Sequence, residues 1–108
     1  MSYIRYKNNN LFVENVSVRR LASKFNSPFY LYSEGSIVEN YKLFSNNFKR
    51  SNPLICFSVK ANSNIQILKV LKKMGSGADV VSGGELLKAI KSGIKPNKIV
   101  FSGVGKTE

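Results

Sequence analysis

The second half of the chain alternates short hydrophobic runs with segments that have helical periodicity. The runs cover 54–60, 78–81 and 98–102. They begin at intervals of roughly 20–24 residues, which is the length of one strand, one helix and two short loops. Such alternation favours a parallel sheet with helices packed on it. The sequence therefore predicts an α/β fold in which the three runs are parallel strands.

A helix is predicted before the first run, because apolar side chains recur there at the spacing of one helical face. Ser36 and Glu39 are three residues apart, the spacing of a capping box in which each side chain binds a backbone amide of the first turn. Pro53 cannot continue the helix and so follows its end. The apolar positions of this helix are Ile37, Tyr41, Phe44 and Phe48.

Two further helices are predicted between the runs. The first follows residues 62–64, whose side chains suit N-cap positions, and it ends at Gly75 and Gly77. The second begins at another capping-box pattern, formed by Ser82 and Glu85. With these helices, the chain from residue 54 onward has the order strand, helix, strand, helix, strand.

The first third of the chain has shorter and less regular patterns. Strands are predicted over 11–13 and 16–18, a brief helix over 20–25, and a strand rich in aromatic residues over 29–32. The first ten residues carry no pattern that assigns them a structure or a role.

The charge balance of the chain is strongly basic, with 17 Lys and Arg, 6 Asp and Glu, and a net charge of +11. Such a balance is compatible with binding of a nucleic acid or an anionic surface. The basic residues are nevertheless spread from Arg5 to Lys106, and no three of them are consecutive. We therefore interpret them as solvated faces and do not expect a nucleic-acid partner.

The residue types exclude several kinds of chemistry. The chain has one cysteine, Cys56, and no histidine, which excludes Cys/His zinc sites, Ser-His-Asp triads and an internal disulfide. No apolar run approaches the roughly 20 residues of a membrane span, and no signal-like apolar segment follows the first charges. We expect a cytoplasmic protein without a membrane partner, which uses Lys, Asp, Glu, Ser or a cofactor if it does chemistry.

Lys60 is the main candidate for that chemistry. It ends the run 54–60, on the face opposite the bulky Ile55, Phe57 and Val59. In a (β/α) barrel the carboxyl ends of the strands line the active site. A low-dielectric position there favours the neutral amine, which is the form that attacks a carbonyl carbon. A solvated lysine at the end of a strand is the alternative interpretation from the residues alone.

Three segments together resemble the fold-type III pyridoxal-phosphate decarboxylases, and among them the members that act on diaminopimelate. They are FSVKANSN at 57–64, GSGADVVSGGEL at 75–86 and IVFSGVGKTE at 99–108. The resemblance extends back through 26–44 and covers roughly residues 10–108. It implies an alanine-racemase-like (β/α)8 barrel, of which 33–108 supplies the first helix and about three βα units. Residues 1–32 would contribute to a separate β-domain. Because eight such units need about 250 residues, the barrel is expected to be incomplete in this chain.

The resemblance also implies roles for particular residues. Lys60 matches the family lysine that bonds to pyridoxal 5′-phosphate, and Asp79 matches an acidic residue close to that lysine and the cofactor. Alternatively, Asp79 is a loop carboxylate satisfied by backbone amides, and Glu85 acts only in its capping box. Ser58 departs from the Ala or Pro usual in the family. The glycine pairs at 83–84 and 103–105 are interpreted as turns, although free amides there could hold a phosphate.

The implied function is decarboxylation of meso-diaminopimelate to L-lysine and CO2. A homodimer is expected for the full-length protein, and this fragment alone is expected to be inactive. The alternatives are a decarboxylase of the same fold acting on arginine, ornithine or carboxynorspermidine, and a small basic nucleic-acid-binding protein. A barrel protein of pyridoxal-phosphate homeostasis would share the lysine, but it would lack the PFYLY strand at 28–32 and the SGGEL segment at 82–86.

Overall fold

The computed structural model describes residues 2–108. Two compact units are formed, Met1–Ile37 and Val38–Glu108. The boundary predicted between residues 32 and 33 lies a few residues before this division. The assignment of 1–32 to a β-domain stays a prediction.

The first unit contains a three-stranded antiparallel sheet, in the order β1 (Ile4–Lys7), β2 (Asn10–Val13) and β3 (Val16–Ser17). Asn8 and Asn9 connect β1 to β2 with φ angles of 49° and 58°. A two-residue hairpin turn with two positive φ angles favours asparagine, which tolerates the left-handed conformation. β1 was not predicted, because it lies within the first ten residues, which carry no pattern that assigns them a structure.

The region between this sheet and the long helix differs from the prediction in two ways. The short helix α1 covers Val18–Ala22 instead of 20–25. Residues 29–32 form no strand, although their aromatic side chains favour extended backbone. No other strand among residues 2–108 pairs with them, and a strand exists only through such pairing.

The long helix α2 covers Glu34–Asn46, and its first turn is capped by Ser33. The Ser33 hydroxyl oxygen accepts a hydrogen bond from the Ser36 amide at 3.0 Å and donates to the Glu14 carboxylate at 2.6 Å. The same carboxylate accepts from the Gly35 amide at 2.8 Å. The predicted capping box of Ser36 and Glu39 is therefore wrong, because the helix begins earlier and Glu14 serves its free amides.

The second unit is an α/β arrangement, as predicted. Its strands β4 (Cys56–Ser58), β5 (Gly77–Val80) and β6 (Ile99–Phe101) are parallel and lie in that order. The helices α3 (Ile65–Lys73) and α4 (Gly83–Lys91) connect them. A single 3-10 turn follows β4 at Val59–Ala61, and another precedes β6 at Pro96–Lys98.

One face of this parallel sheet is covered by the helices and holds the core. The buried cluster consists of Val59, Leu68, Ala78, Val80, Ala89 and Ile94, with Phe57, Leu86, Ile99 and Phe101 packed against it. Since side chains alternate along a strand, the other face carries Cys56, Ser58, Gly77, Asp79 and Val100. We call these five residues the open face. It is more polar than the core face.

Glycines at helix ends and in β5 have different roles. Gly75 follows α3 with a φ of 92°, the left-handed conformation in which glycine ends many helices, as predicted. Gly77 was also predicted to end α3, which is wrong because it begins β5. A Cβ at Gly77 would collide with the Lys98 carbonyl oxygen and would lie 2.8 Å from Cys56 Sγ. Glycine therefore permits the close approach of β4, β5 and the chain entering β6.

We expect Gly77→Ala to lower the free energy of unfolding by about 1–3 kcal/mol, because the backbone carbonyl of Lys98 cannot move aside without disturbing β6. Urea unfolding followed by circular dichroism measures the change. Gly83→Ala is the matched control, since nothing lies within 4 Å of a Cβ there. Equal stability of the two variants would contradict the tight packing at Gly77.

We expect the Glu14 carboxylate to make the first unit less stable at low pH. Hydrogen bonds from Ser33 and Gly35 lower the pKa of Glu14 below its ordinary value of 4.5. The stabilisation is therefore present above about pH 4.5 and is lost as the pH falls through the lowered value. Between pH 7 and pH 3, the melting temperature should fall further in the wild type than in Glu14→Gln. Parallel pH profiles would contradict this role of Glu14.

Candidate functional site

Lys60 lies at the carboxyl end of β4, in the middle of the 3-10 turn Val59–Ala61. The turn is anchored by Val59, which is fully buried in the core, and it is closed by the Asn62 amide, which donates to the Val59 carbonyl at 3.1 Å. The side chain of Lys60 is exposed. The strand is therefore shorter than the predicted 54–60. Residues 2–108 do not bury Lys60, so they do not by themselves provide the low-dielectric position expected for its amine.

The segment after Lys60 is held by side chains on both sides. Asn62 Oδ1 accepts from the Asn64 amide at 3.0 Å, and Asn64 Oδ1 accepts from the Gln66 amide at 2.9 Å. These bonds confirm the predicted N-cap of α3. The Lys88 ammonium of α4 donates to the Ser63 hydroxyl at 3.0 Å. The loop that carries Lys60 is thus tied to both helices.

Asp79 is the third residue of β5, and its carboxylate belongs to the open face. In the parallel register it pairs with Ser58 on one side and with Val100 on the other. Its Oδ1 atom accepts a hydrogen bond from the Ser102 hydroxyl at 2.5 Å. Lys60 follows Ser58 by two residues, so the structure brings Lys60 and Asp79 to the same edge of the sheet. The bonded partner of Asp79 is Ser102, however, and the predicted pairing with Lys60 stays a prediction.

The loop between β5 and α4 confirms the capping pattern of Ser82 and Glu85. The Ser82 hydroxyl oxygen accepts from the Glu85 amide at 3.2 Å, and Glu85 Oε2 accepts from the Val81 amide at 2.8 Å. In the usual capping box the carboxylate binds the amide of the cap residue itself. Here it reaches one residue further back. Glu85 therefore fixes the loop at the carboxyl edge of the sheet, which supports its structural interpretation.

Two other ionisable groups, Cys56 and Tyr41, interact near the amino ends of β4 and β5. Burial raises the pKa of the Cys56 thiol above its ordinary value of 9.0, and the negative charge of Asp79 raises it further. Burial also raises the pKa of the Tyr41 phenol, and a hydrogen bond with the Ser76 side chain partly opposes that rise. Both groups are therefore neutral near pH 7. Cys56 is not an activated nucleophile, since only the thiolate attacks.

The two glycine pairs differ in their setting: Gly83 and Gly84 begin α4, whereas the glycines at 103–105 are not at the start of a helix. No helix follows Gly105 among residues 2–108. A Cβ at Gly103 would lie 2.5 Å from the Val81 carbonyl oxygen, so this glycine allows the chain after β6 to pass close to β5. The turn interpretation of 103–105 agrees with this geometry.

The edge of the sheet carries an amine and a carboxylate that fit part of a site for an aldehyde-bearing cofactor. An exposed primary amine at Lys60 is accessible to a carbonyl carbon, and the carboxylate at Asp79 can complement positive charge. No group of three His, Cys, Asp or Glu side chains within residues 2–108 could hold a metal ion. Among the same residues, none of the helices has the length and hydrophobicity of a membrane span.

These features define an α/β domain with an exposed amine at the carboxyl edge of a parallel sheet. Residues 34–108 match the family model of the pyridoxal-dependent decarboxylases, in its pyridoxal binding domain. The chain therefore belongs to this family of pyridoxal-phosphate enzymes. The resemblance of the three sequence segments is confirmed.

Relatives with the name diaminopimelate decarboxylase match most of the chain. The one from Aquifex aeolicus is 47% identical over 106 residues, which are 98% of this chain and 25% of that protein. The crystal structure of diaminopimelate decarboxylase from M. jannaschii in complex with L-lysine matches with a TM-score of 0.88 and 39% identity. The match covers 96% of this chain and 25% of the M. jannaschii chain. The chain thus spans about a quarter of the length of these relatives.

A more distant neighbour acts on another amino acid. The crystal structure of ornithine decarboxylase from Entamoeba histolytica matches 82% of this chain and 28% of that chain, with 28% identity and a TM-score of 0.60. Both the identity and the structural agreement are lower than for the M. jannaschii structure.

Ser102 lies at this edge and is not among the residues that the sequence patterns indicate. Its signal is positional, because it follows Val100 by two residues and Val100 is in register with Asp79. The register was needed to see this, since the sequence predicts neighbouring strands without fixing which residues lie opposite each other.

We expect Asp79→Asn to lower the pKa of the Cys56 thiol, because the substitution removes the negative charge that raises it. The pKa should remain above 9.0, since burial is the larger cause. The pH dependence of iodoacetamide alkylation at Cys56 measures the effect. Glu34→Gln removes the same charge at the start of α2 and is the control. An unchanged pH profile in Asp79→Asn would show that Asp79 and Cys56 do not interact.

Proposed function

We propose that this chain supplies the first part of the cofactor-binding barrel of a pyridoxal-phosphate-dependent amino-acid decarboxylase, with Lys60 as the residue that bonds to the cofactor. The observation that carries the proposal is the position of Lys60. It is an exposed amine at the carboxyl edge of a parallel sheet, within the segment that the pyridoxal-binding family model matches.

The two faces of the sheet support a barrel. Helices cover the face that carries Phe57, Ala78 and Ile99, whereas the open face carries Cys56, Ser58 and Asp79. In a (β/α)8 barrel the outer face packs against helices and the inner face lines the interior, with the active site at the carboxyl ends of the strands. The positions of Lys60 and Asp79 agree with such an active site. The remaining strands would complete the barrel, whichever polypeptide supplies them.

We propose meso-diaminopimelate as the substrate, and L-lysine and CO2 as the products. The names of the relatives support this substrate, and so does the M. jannaschii structure with L-lysine. The ornithine decarboxylase structure, at 28% identity, supports the alternative substrate less well. For the assembled protein a cytoplasmic homodimer is proposed on the family resemblance alone.

The residues of this chain would have distinct tasks in that reaction. Bound pyridoxal phosphate supplies the electron sink that stabilises the carbanion left by CO2. Lys60 would hold the cofactor through its amine, at the carboxyl edge of the sheet. Asp79 supplies a negative charge that orients a cationic amine nearby. The bonds of Ser82 and Glu85 keep the adjacent loop in place.

A chimera tests the contribution of this segment. Residues 1–108 replace the matching quarter of the Aquifex aeolicus relative, which is 47% identical. We expect the chimera to bind pyridoxal phosphate and to release CO2 from diaminopimelate. Lys60→Arg should lower kcat by roughly three orders of magnitude or more, because a guanidinium keeps the charge but cannot replace the amine. Lys69→Arg, on α3, is the matched control and should retain activity.

Several outcomes would contradict the proposal. A folded chimera without cofactor, or one in which Lys60→Arg is as active as Lys69→Arg, shows that Lys60 is not the cofactor lysine. If the whole replacement fails to fold, replacement of residues 34–108 alone tests the same claim. A second chimera joins residues 1–108 to the remainder of the ornithine decarboxylase. It tests which of the two decarboxylases this segment can complete. Cofactor binding in that chimera alone would contradict the diaminopimelate assignment.

A further inference from the structure

Ser102 makes a bond that the proposed function does not use. Its hydroxyl donates to Asp79 Oδ1 at 2.5 Å, which is within the range of about 2.5–2.7 Å for a hydroxyl bonded to a carboxylate. Charge-assisted bonds of this kind are roughly twice as strong as neutral ones. The bond joins the segment after β6 to the middle of β5, across 23 residues of sequence.

The backbone around Ser102 is held as firmly as its side chain. The Ser102 amide donates to the Val80 carbonyl at 2.9 Å, which continues the ladder between β5 and β6 beyond Phe101. Gly103 then passes so close to the Val81 carbonyl that a side chain would not fit. The hydroxyl of Ser102 is therefore presented to Asp79 by a fixed backbone.

Asp79 is the acidic residue of the open face, and its partner sets where its charge lies. One oxygen of the carboxylate is engaged by Ser102. The negative charge of Asp79 also raises the pKa of the Cys56 thiol. Cys56 lies on β4, opposite Gly77, which precedes Asp79 by two residues in β5. The hydrogen bond restrains the carboxylate with Oδ1 toward Ser102. Without Ser102 the side chain would lose this restraint.

We propose that Ser102 is a positioning residue, which holds the Asp79 carboxylate in the orientation that serves Lys60 at the carboxyl edge of the sheet. The inference rests on the proposed function, because it assigns Asp79 a task beside the cofactor lysine. It adds a residue that acts through Asp79 and touches neither substrate nor cofactor.

The bond itself is tested without cofactor. In the apoprotein form of the chimera, a double-mutant cycle of Ser102→Ala and Asp79→Asn measures the coupling between the two side chains. We expect a coupling equivalent to about a tenfold change in the unfolding equilibrium constant, as for a hydrogen bond to a charged group. Additive effects of the two substitutions would overturn the inference, whatever the activity of the enzyme.

The positioning role is tested in the chimera loaded with cofactor. Ser102→Ala should lower kcat about tenfold with little change in KM, and Ser102→Thr, which keeps the hydroxyl, should restore most of it. In the Asp79→Asn background, Ser102→Ala should have no further effect. Ser45→Ala removes a hydroxyl that donates to the Lys42 carbonyl within α2 and is the control. If Ser102→Ala fails to fold, the isosteric pair Ser102→Thr and Ser102→Val gives the same comparison.

The outcomes separate this inference from the proposed function. Loss of Lys60-dependent activity in the parent chimera refutes the proposed function, and the coupling in the apoprotein is still measured. An active parent in which Ser102→Ala and Ser45→Ala are equally active refutes the positioning role alone. An effect of Ser102→Ala that persists in full with Asn at position 79 also refutes it, because Ser102 would then act independently of Asp79.

Discussion

The parallel register of β4, β5 and β6 is the constraint on which the rest of the second unit depends. It places Ser58, Asp79 and Val100 in one row and turns Phe57, Ala78 and Val80 toward the helices. A shift of one residue in β5 would exchange these faces and bury Asp79 among apolar side chains. Gly77 protects this register, because its missing side chain allows the neighbouring backbone to approach.

The same register explains why the candidate chemistry lies at one edge. Parallel strands have all their carboxyl ends on one side, so the turn with Lys60, the loop 81–85 and Ser102 converge there. Each of these segments is held in place. Val59 is buried in the core, Ser82 and Glu85 cap α4, and the Ser102 amide donates to the Val80 carbonyl. A site with such support has little freedom to lose when a cofactor binds.

Much of this arrangement can be predicted from the sequence, because spacing and caps are local signals. The strand and helix order after residue 54, the N-cap at Asn64 and the glycine after α3 all follow from residue types at short separation. The alternating pattern of 54–60 predicts Lys60 on a strand, because the alternation continues through Val59 into the 3-10 turn. Periodicity alone does not distinguish Lys60 from a surface lysine. The family resemblance is what indicates that it bonds to a cofactor.

The errors of prediction arise where residues distant in sequence decide the structure. Ser33 and Ser36 are both suitable caps, and the choice is made by Glu14, which binds Ser33 and Gly35 from 19 and 21 residues away. Residues 29–32 have strand propensity but no neighbouring strand among the residues described. Ser102 became visible only when the register of β5 and β6 was known. None of these decisions leaves a local pattern.

We propose above all that the amine of Lys60 holds the cofactor. Reduction of the cofactor-loaded chimera with sodium borohydride, followed by peptide mass mapping, tests it most directly. We expect the pyridoxyl group on the peptide that contains Lys60 and on no other lysine of residues 1–108. A stable label on a different side chain of the folded protein would contradict it.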